Sequence, residues 1–131
     1  MKHYQVVAGI IKHDQQILCV QRGKGKYDYI SYKYEFPGGK IENGETKEDA
    51  LVREIKEELE LDIYGLEELI EINHNYPDFS LTMYCFMAKT HSQIPILKEH
   101  LAFKWLPIDD LQQLDWAAAD IPAVKKLTGS L

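Results

Sequence analysis

The residues with the most evident chemistry lie between Gly38 and Leu61. Glu54, Glu57 and Glu58 stand there at positions i, i+3 and i+4. On a helix turning roughly 100° per residue, Glu57 lies about 60° to one side of Glu54 and Glu58 about 40° to the other. Three carboxylates therefore share one arc, while Leu51, Val52, Ile55 and Leu59 take the neighbouring arc and can face a core. Like charges at such spacings repel, by roughly a few tenths of a kcal/mol per pair. A helix shaped by stability alone would interleave lysines. Hard oxygens gathered on one arc are what Mg²⁺ or Mn²⁺ binds. The plain alternative is a solvated acidic face with Arg53–Glu57 and Lys56–Glu60 pairs at i+4. The flanking residues weigh against it: Gly38-Gly39 bring backbone carbonyls near the helix, and Gly44-Glu45 precede its start.

Several elements must position this arc. Thr46, with Asp49 three residues on, resembles a capping box, and good helix formers follow to about Leu59. Tyr4 to Lys12 and Ile17 to Gln21 are apolar runs separated by turn residues, the pattern of a hairpin. Tyr34 to Phe36 reads as a short strand ended by Pro37-Gly38-Gly39. Leu66 to Asn73 and Ser80 to Lys89 read as strands joined across Tyr76-Pro77-Asp78. In the latter, Leu81, Met83, Cys85 and Met87 alternate with Thr82, Tyr84, Phe86 and Ala88, so both faces carry apolar residues. Phe103 to Leu106 is a further strand, Asp109 to Leu114 a short helix, and Ile121 to Thr128 a closing helix that tolerates Pro122 in its first turn. The order ββ–β–α–ββ–β–α predicts an α+β or α/β fold, a mixed sheet between helices, formed as one domain over 1–131.

Charge is uneven along the chain. The net charge is −6, from 21 acidic and 15 basic residues. Glu42 to Glu60 holds eight acids against three bases, a net −5, so the remainder carries only −1. Gln21 to Lys33 holds Arg22, Lys24, Lys26 and Lys33 against Asp28, a net +3. This basic loop is either a solvated linker or an approach to phosphates. An acidic chain is ill suited to gripping a nucleic-acid backbone, which needs a basic face. Cys19 and Cys85 fall in apolar runs and read as buried thiols of a reducing compartment. No run approaches the ~20 apolar residues of a membrane span, and no signal-peptide pattern is present, so no membrane contact and a cytoplasmic location are expected. His3, His13, His74, His91 and His100 lack ligand spacing and read as surface or strand residues.

Gly39, five residues, Glu45, seven residues, then Arg53-Glu54-Ile55-Lys56-Glu57-Glu58 resemble the Nudix box, GX5EX7REUXEEXGU. The box glycine is Glu60 here, followed by the expected apolar Leu61. That glycine ends the helix in a left-handed conformation, which Glu60 would adopt at a cost of about 1 kcal/mol. The resemblance to the MutT-like branch extends almost end to end, through VVAGII, YEFPGGKIE, NYPDFSLTMYCF, KEHLAFKWLP and AADIPAVKKL. It implies a mixed sheet between helices and Mg²⁺-dependent hydrolysis of a nucleoside diphosphate linked to a further group. It further implies metal-binding roles for Glu54, Glu57, Glu58 and the Gly39 carbonyl. Arg53 and Glu45 would orient the helix and loop through an ion pair, and Gly38, with Glu45, would serve the structure of the box. Glu99 would reach the metal site and serve, as an alternative to Glu54, as base.

The resemblance places Arg22, Glu35, Phe36, Phe79 and Asp120 at the nucleotide pocket. Members of the branch that remove 8-oxo-dGTP carry asparagine in place of Asp120 and arginine in place of Phe79. An ionised aspartate only accepts hydrogen bonds, which suits the exocyclic amine of cytosine and, unless protonated, not the O6 of 8-oxoguanine. The AADIP string also resembles members acting on CTP. The expected activity is therefore conversion of CTP, dCTP or a modified cytidine triphosphate to monophosphate and pyrophosphate, by a monomer or homodimer. The alternatives are 8-oxo-dGTP hydrolysis and a non-catalytic nucleotide-binding module.

Overall fold

A computed structural model describes residues 1–129; the expected domain span of 1–131 ends in two residues outside that range. The strands are β1 (Lys2–His13), β2 (Gln16–Gln21), β3 (Tyr34–Glu35), β4 (Gly38–Lys40), β5 (Ile63–Asn75), β6 (Phe79–Thr90) and β7 (Ala102–Leu106). The helices are α1 (Lys47–Leu59) and α2 (Ile121–Thr128), with 3-10 turns at Ile108–Gln113 and Ala118–Asp120. The sheet runs β3-β2-β1-β6-β5, with β4 also on β1 and β7 also on β2. β1 and β6 are parallel, whereas β2, β4, β5 and β7 pair antiparallel to their neighbours. Asp14 and Gln15, both at positive φ, make the tight turn between β1 and β2.

The alternation along the central strands builds a core on each face of this mixed sheet. Val7, Ile11, Leu18, Val20 and Phe86 pack with Ala50, Leu51, Ile55 and Leu59 of α1. Ala8, Ile10, Ile17, Cys19, Met83 and Cys85 pack with Ala123 and Val124 of α2, and with Leu111 and Trp116. The sheet is thus covered by helices on both sides, as expected. Burial pushes the Cys19 and Cys85 thiols up to about 12, so both stay protonated and inert. Among the described residues, no helix is long and apolar enough to cross a membrane.

Four local expectations are corrected. Gly38-Gly39 do not merely end a strand: they form β4, with Val7 opposite Gly39 and Ala8 opposite Gly38. Val52 does not face the core but is 41% exposed, and Ala50 takes the buried position. Lys56 pairs with Asp62 at 3.1 Å, and Glu60 pairs with Lys98 at 3.3 Å, so the Lys56–Glu60 pair does not form. The cause lies at the helix end: Glu60 is left-handed (φ 53°, ψ 35°), which turns its side chain off the helix row. The glycine-like conformation is kept without glycine, and the Ile96 N–H donates to the freed Leu59 carbonyl at 2.9 Å. The fourth correction is His100, whose side chain is only 7% exposed.

Candidate active site

α1 starts where the sequence sets it. The Thr46 hydroxyl accepts the Asp49 N–H at 3.1 Å, capping one free donor of the first turn. The Cα of Gly38 lies against the β1 backbone, and a Cβ there would overlap the Val7 carbonyl oxygen. At Gly39 a Cβ would overlap the Glu54 carboxylate. The two glycines therefore let β4 pass between β1 and α1, and bring the Gly39 backbone against Glu54.

Arg53 ties this arrangement together. Its Nε and Nη2 donate to the two oxygens of Glu45 at 2.7 and 2.9 Å, a bidentate pair. Nη2 also donates to the Lys40 carbonyl at 3.0 Å, and Nη1 to Glu54 at 2.9 Å and to Glu57 at 3.2 Å. One guanidinium thus joins the loop before α1, the end of β4 and two carboxylates of the arc. The hydrogen bonds from Arg53, with the Glu42 N–H, hold the Glu45 carboxyl down from its ordinary 4.5 to about 2. A carboxyl depressed on folding stabilises the fold fully above its unfolded value and loses that contribution as pH falls through the folded one. The melting-temperature gap between the wild type and Glu45→Gln is expected to narrow from pH 4.5 toward pH 2. A gap that stayed constant over that window would show that the ion pair does not couple to folding.

Glu54 and Glu58 line a cavity of about 900 Å³ together with Gly38, Gly39 and Glu99. Glu57 does not line it; its side chain is 61% exposed and turned to Arg53. Glu99 is exposed toward the cavity and makes no hydrogen bond or ion pair among the described residues. Burial pushes the Glu58 carboxyl well up, and the negative charges of Glu54, Glu99 and Glu35 push it further. Carboxylates so crowded call for a cation. Among the described residues no three acidic, histidine or cysteine side chains already converge as a finished metal cage. Arg53 occupies oxygens of both Glu54 and Glu57. The donor chemistry nevertheless fits Mg²⁺: hard carboxylate oxygens, with the Gly39 backbone against Glu54.

The same cavity is lined by Arg22, Glu35, Phe36, Phe79 and Asp120. Phe36 is 3% exposed and lies 4.6 Å from Trp116, ring centre to ring centre, so it is core and cavity floor at once. Phe79 joins an aromatic wall with Tyr76 at 5.1 Å, Tyr27 at 5.5 Å and Tyr4 at 5.7 Å. Asp120 is 4% exposed, and its Oδ1 accepts the Phe36 N–H at 3.1 Å. Burial, with Glu35 nearby, holds the Asp120 carboxyl well above the usual range despite that hydrogen bond. The basic loop is divided: Arg22, Lys24 and Lys26 border the cavity, but Lys33 pairs with Asp115 at 2.8 Å.

Three cavity residues escape sequence reasoning. Tyr27 and Tyr76 sit in a loop and a turn without period, and the Tyr76 hydroxyl accepts the Ala119 N–H at 2.9 Å. His100 hydrogen-bonds Glu35 at 3.0 Å across 65 residues. Its position directly after Glu99 is the one local signal that sets it apart from the other histidines.

A mixed sheet between helices thus carries a Gly–Glu–Arg-braced acidic arc beside an aromatic-walled cavity. The chain belongs to the NUDIX domain family, whose family model matches residues 2–127. It is 31% identical over 127 residues to the Escherichia coli 8-oxo-dGTP diphosphatase, covering 97% of this chain and 98% of that protein. It is also 31% identical over 125 residues to the E. coli CTP pyrophosphohydrolase, covering 95% and 91%. The solution structure of the MutT protein, a Nudix hydrolase of methicillin-resistant Staphylococcus aureus, superposes with a TM-score of 0.75 at 38% identity, over 100% of both chains. The protein is a Nudix hydrolase of the MutT type.

Proposed function

We propose that this protein converts a nucleoside triphosphate to the monophosphate and pyrophosphate, with Mg²⁺ as cofactor and Mn²⁺ as a substitute. The observation that supports this best is the single cavity in which carboxylates Glu54, Glu58 and Glu99 share a wall with Phe36, Phe79 and Asp120. A triphosphate joined to a base needs a site with both an acidic, cation-holding part and an aromatic part. Glu54, Glu58, Glu99 and the Gly39 carbonyl would hold the metal, with Glu57 joining them by turning inward from Arg53. Bound there, Mg²⁺ would offset phosphate charge and lower the pKa of a water. Glu99 is the better-placed base, because Arg53 already engages Glu54. It takes the proton of a water that attacks the β-phosphorus. In ¹⁸O water the label then enters pyrophosphate; label confined to the monophosphate would refute that step.

Base selectivity turns on Asp120. An ionised, acceptor-only carboxylate would favour the exocyclic amine of cytosine. Burial pushes the Asp120 carboxyl toward the neutral acid, and a protonated carboxyl both accepts and donates, as asparagine does, which suits a carbonyl edge such as O6 of 8-oxoguanine. That favours 8-oxo-dGTP, with a cytidine triphosphate as the second reading. Pyrophosphate release from a panel holding 8-oxo-dGTP, dGTP, CTP and dCTP tests both. Under the neutral-acid reading, Asp120→Asn leaves the preference unchanged; a swing away from CTP would restore the cytidine reading. Binding without turnover of any triphosphate would instead identify a non-catalytic module.

Lys24 and Lys26 border the cavity. Replacing both by alanine is expected to raise KM for the triphosphate by roughly two- to thirtyfold, as exposed ion pairs contribute about 0.2–1 kcal/mol each. An unchanged KM would make the loop a linker only. The free, buried thiols suit the reducing cytoplasm as the site of action.

A further inference from the structure

The contact that the Nudix reading leaves unused is the one between His100 and Glu35. The two carboxylate oxygens of Glu35 are held from opposite partners. Oε1 accepts from Arg22 Nη1 at 3.0 Å, and Oε2 faces His100 Nε2 at 3.0 Å. The two holds differ in rigidity: the Arg22 side chain is 41% exposed, whereas that of His100 is 7% exposed. A carboxylate fixed through one oxygen still swings about that bond; fixed through both, its plane is set. His100 is therefore the rigid side of the clamp.

The second nitrogen of His100 supports a role beyond packing. Nε2 donates to Glu35, which leaves Nδ1 as the second polar nitrogen, an acceptor in the neutral imidazole. Nδ1 is enclosed and has no hydrogen-bond partner among the described residues. Leaving a buried acceptor unpaired is unfavourable, and an apolar side chain would fill the space without it. The bond from Nε2 to Glu35 is what the imidazole supplies and leucine would not.

The placement indicates what the clamp serves. Glu35 precedes Phe36, whose N–H is bonded to Asp120, and His100 follows Glu99. All five residues line the one cavity. The His100–Glu35 bond thus joins the aromatic part of the cavity to its acidic wall, where the nucleoside of a bound triphosphate would lie. We infer that His100 is a positioning residue for substrate selection: it sets the plane of the Glu35 carboxylate so that its remaining lone pairs meet N–H or O–H donors of the nucleoside.

This inference rests on the nucleotide reading above, and its test separates the two. Kinetics over the nucleotide panel would compare the wild type with His100→Leu, His100→Gln, Glu35→Ala and the Glu35→Ala/His100→Leu double variant. His100→Leu is expected to raise KM for the preferred triphosphate about tenfold or more and to narrow discrimination across the panel, with kcat altered far less. His100→Gln, whose amide nitrogen reaches toward the place of Nε2, should recover most of the selectivity. In the Glu35→Ala background, His100→Leu should add nothing further to KM. A full effect of His100→Leu without Glu35, or no recovery with glutamine, overturns the inference. A readout independent of turnover is the imidazole ¹H–¹⁵N spectrum. The wild type should show a slowly exchanging Nε2–H on His100 that is lost in Glu35→Ala. Its absence overturns the clamp even in an active enzyme. If the signal is present but no triphosphate is hydrolysed or bound, the nucleotide reading and the selection role fall together while the clamp itself stands.

Discussion

Replacing Glu54 by glutamine is expected to lower kcat for pyrophosphate release by about 10²–10⁴-fold, because it weakens the hold on a metal whose charge stabilisation is worth roughly several kcal/mol. The substitution keeps the side-chain shape, so the contact with Gly39 and the bond from Arg53 can persist and the melting temperature should change little. What is lost is one negative charge from the wall shared with Glu58 and Glu99. Glu57→Gln is expected to cost less, because Glu57 is 61% exposed and does not line the cavity. Activity assays at saturating Mg²⁺ and thermal melts check both points. Equal losses at Glu54 and Glu57 would mean that Glu57, once turned inward, holds the cation as firmly as Glu54 does. A Glu54→Gln enzyme of near wild-type rate would remove Glu54 from the machinery.

Gly38→Ala and Gly39→Ala are expected to fail in different ways, although the residues are adjacent. A Cβ on Gly38 meets the Val7 carbonyl, Val7 carbon and Ala8 Cα, all backbone of the central strand. That clash can be relieved only by moving β4 from β1, with a loss of stability of about 1–3 kcal/mol or more. A Cβ on Gly39 meets the end of the flexible Glu54 side chain. Glu54 can swing away, so the fold should survive while the carboxylate leaves its place against the Gly39 backbone. The expected result is a near-normal denaturant midpoint for Gly39→Ala with activity reduced as far as in Glu54→Gln. If Gly39→Ala unfolds as readily as Gly38→Ala, the glycine pair serves the sheet alone.

The elements were legible in the sequence to different degrees, for physical reasons. α1 was readable because its signals are local: a threonine cap, helix formers without interruption, and a 3.6-residue apolar row. β6 was readable as a strand covered on both faces because period-2 alternation records each face separately. β4 was not, because Gly38-Gly39-Lys40 has no propensity for a strand; it is extended only because β1 lies beside it. Val52 went astray because it lies at the margin of the apolar arc, and a few degrees of helix rotation decide its exposure. The candidate site divides along the same line. Arg53, Glu54, Glu57 and Glu58 lie within six positions of one helix, so spacing alone set them on one arc. Glu35, His100 and Asp120 are separated by 65 and 20 residues, and no periodicity connects them.

By itself, the sequence determined that this protein carries a braced acidic helix, that the helix lies on a mixed sheet, and that its carboxylates suit a hard cation. These follow from short-range spacing, and short-range geometry is fixed by the backbone. The tertiary structure alone decided how those charges are used. It turned Glu57 out to Arg53 while Glu54 and Glu58 faced the cavity. It enclosed Asp120, where burial pushes the carboxyl toward the neutral acid. It also buried His100 against Glu35. The physical reason is common to all three. The chemical state of a polar group depends on its solvation and on neighbours distant in the chain, and only packing fixes both.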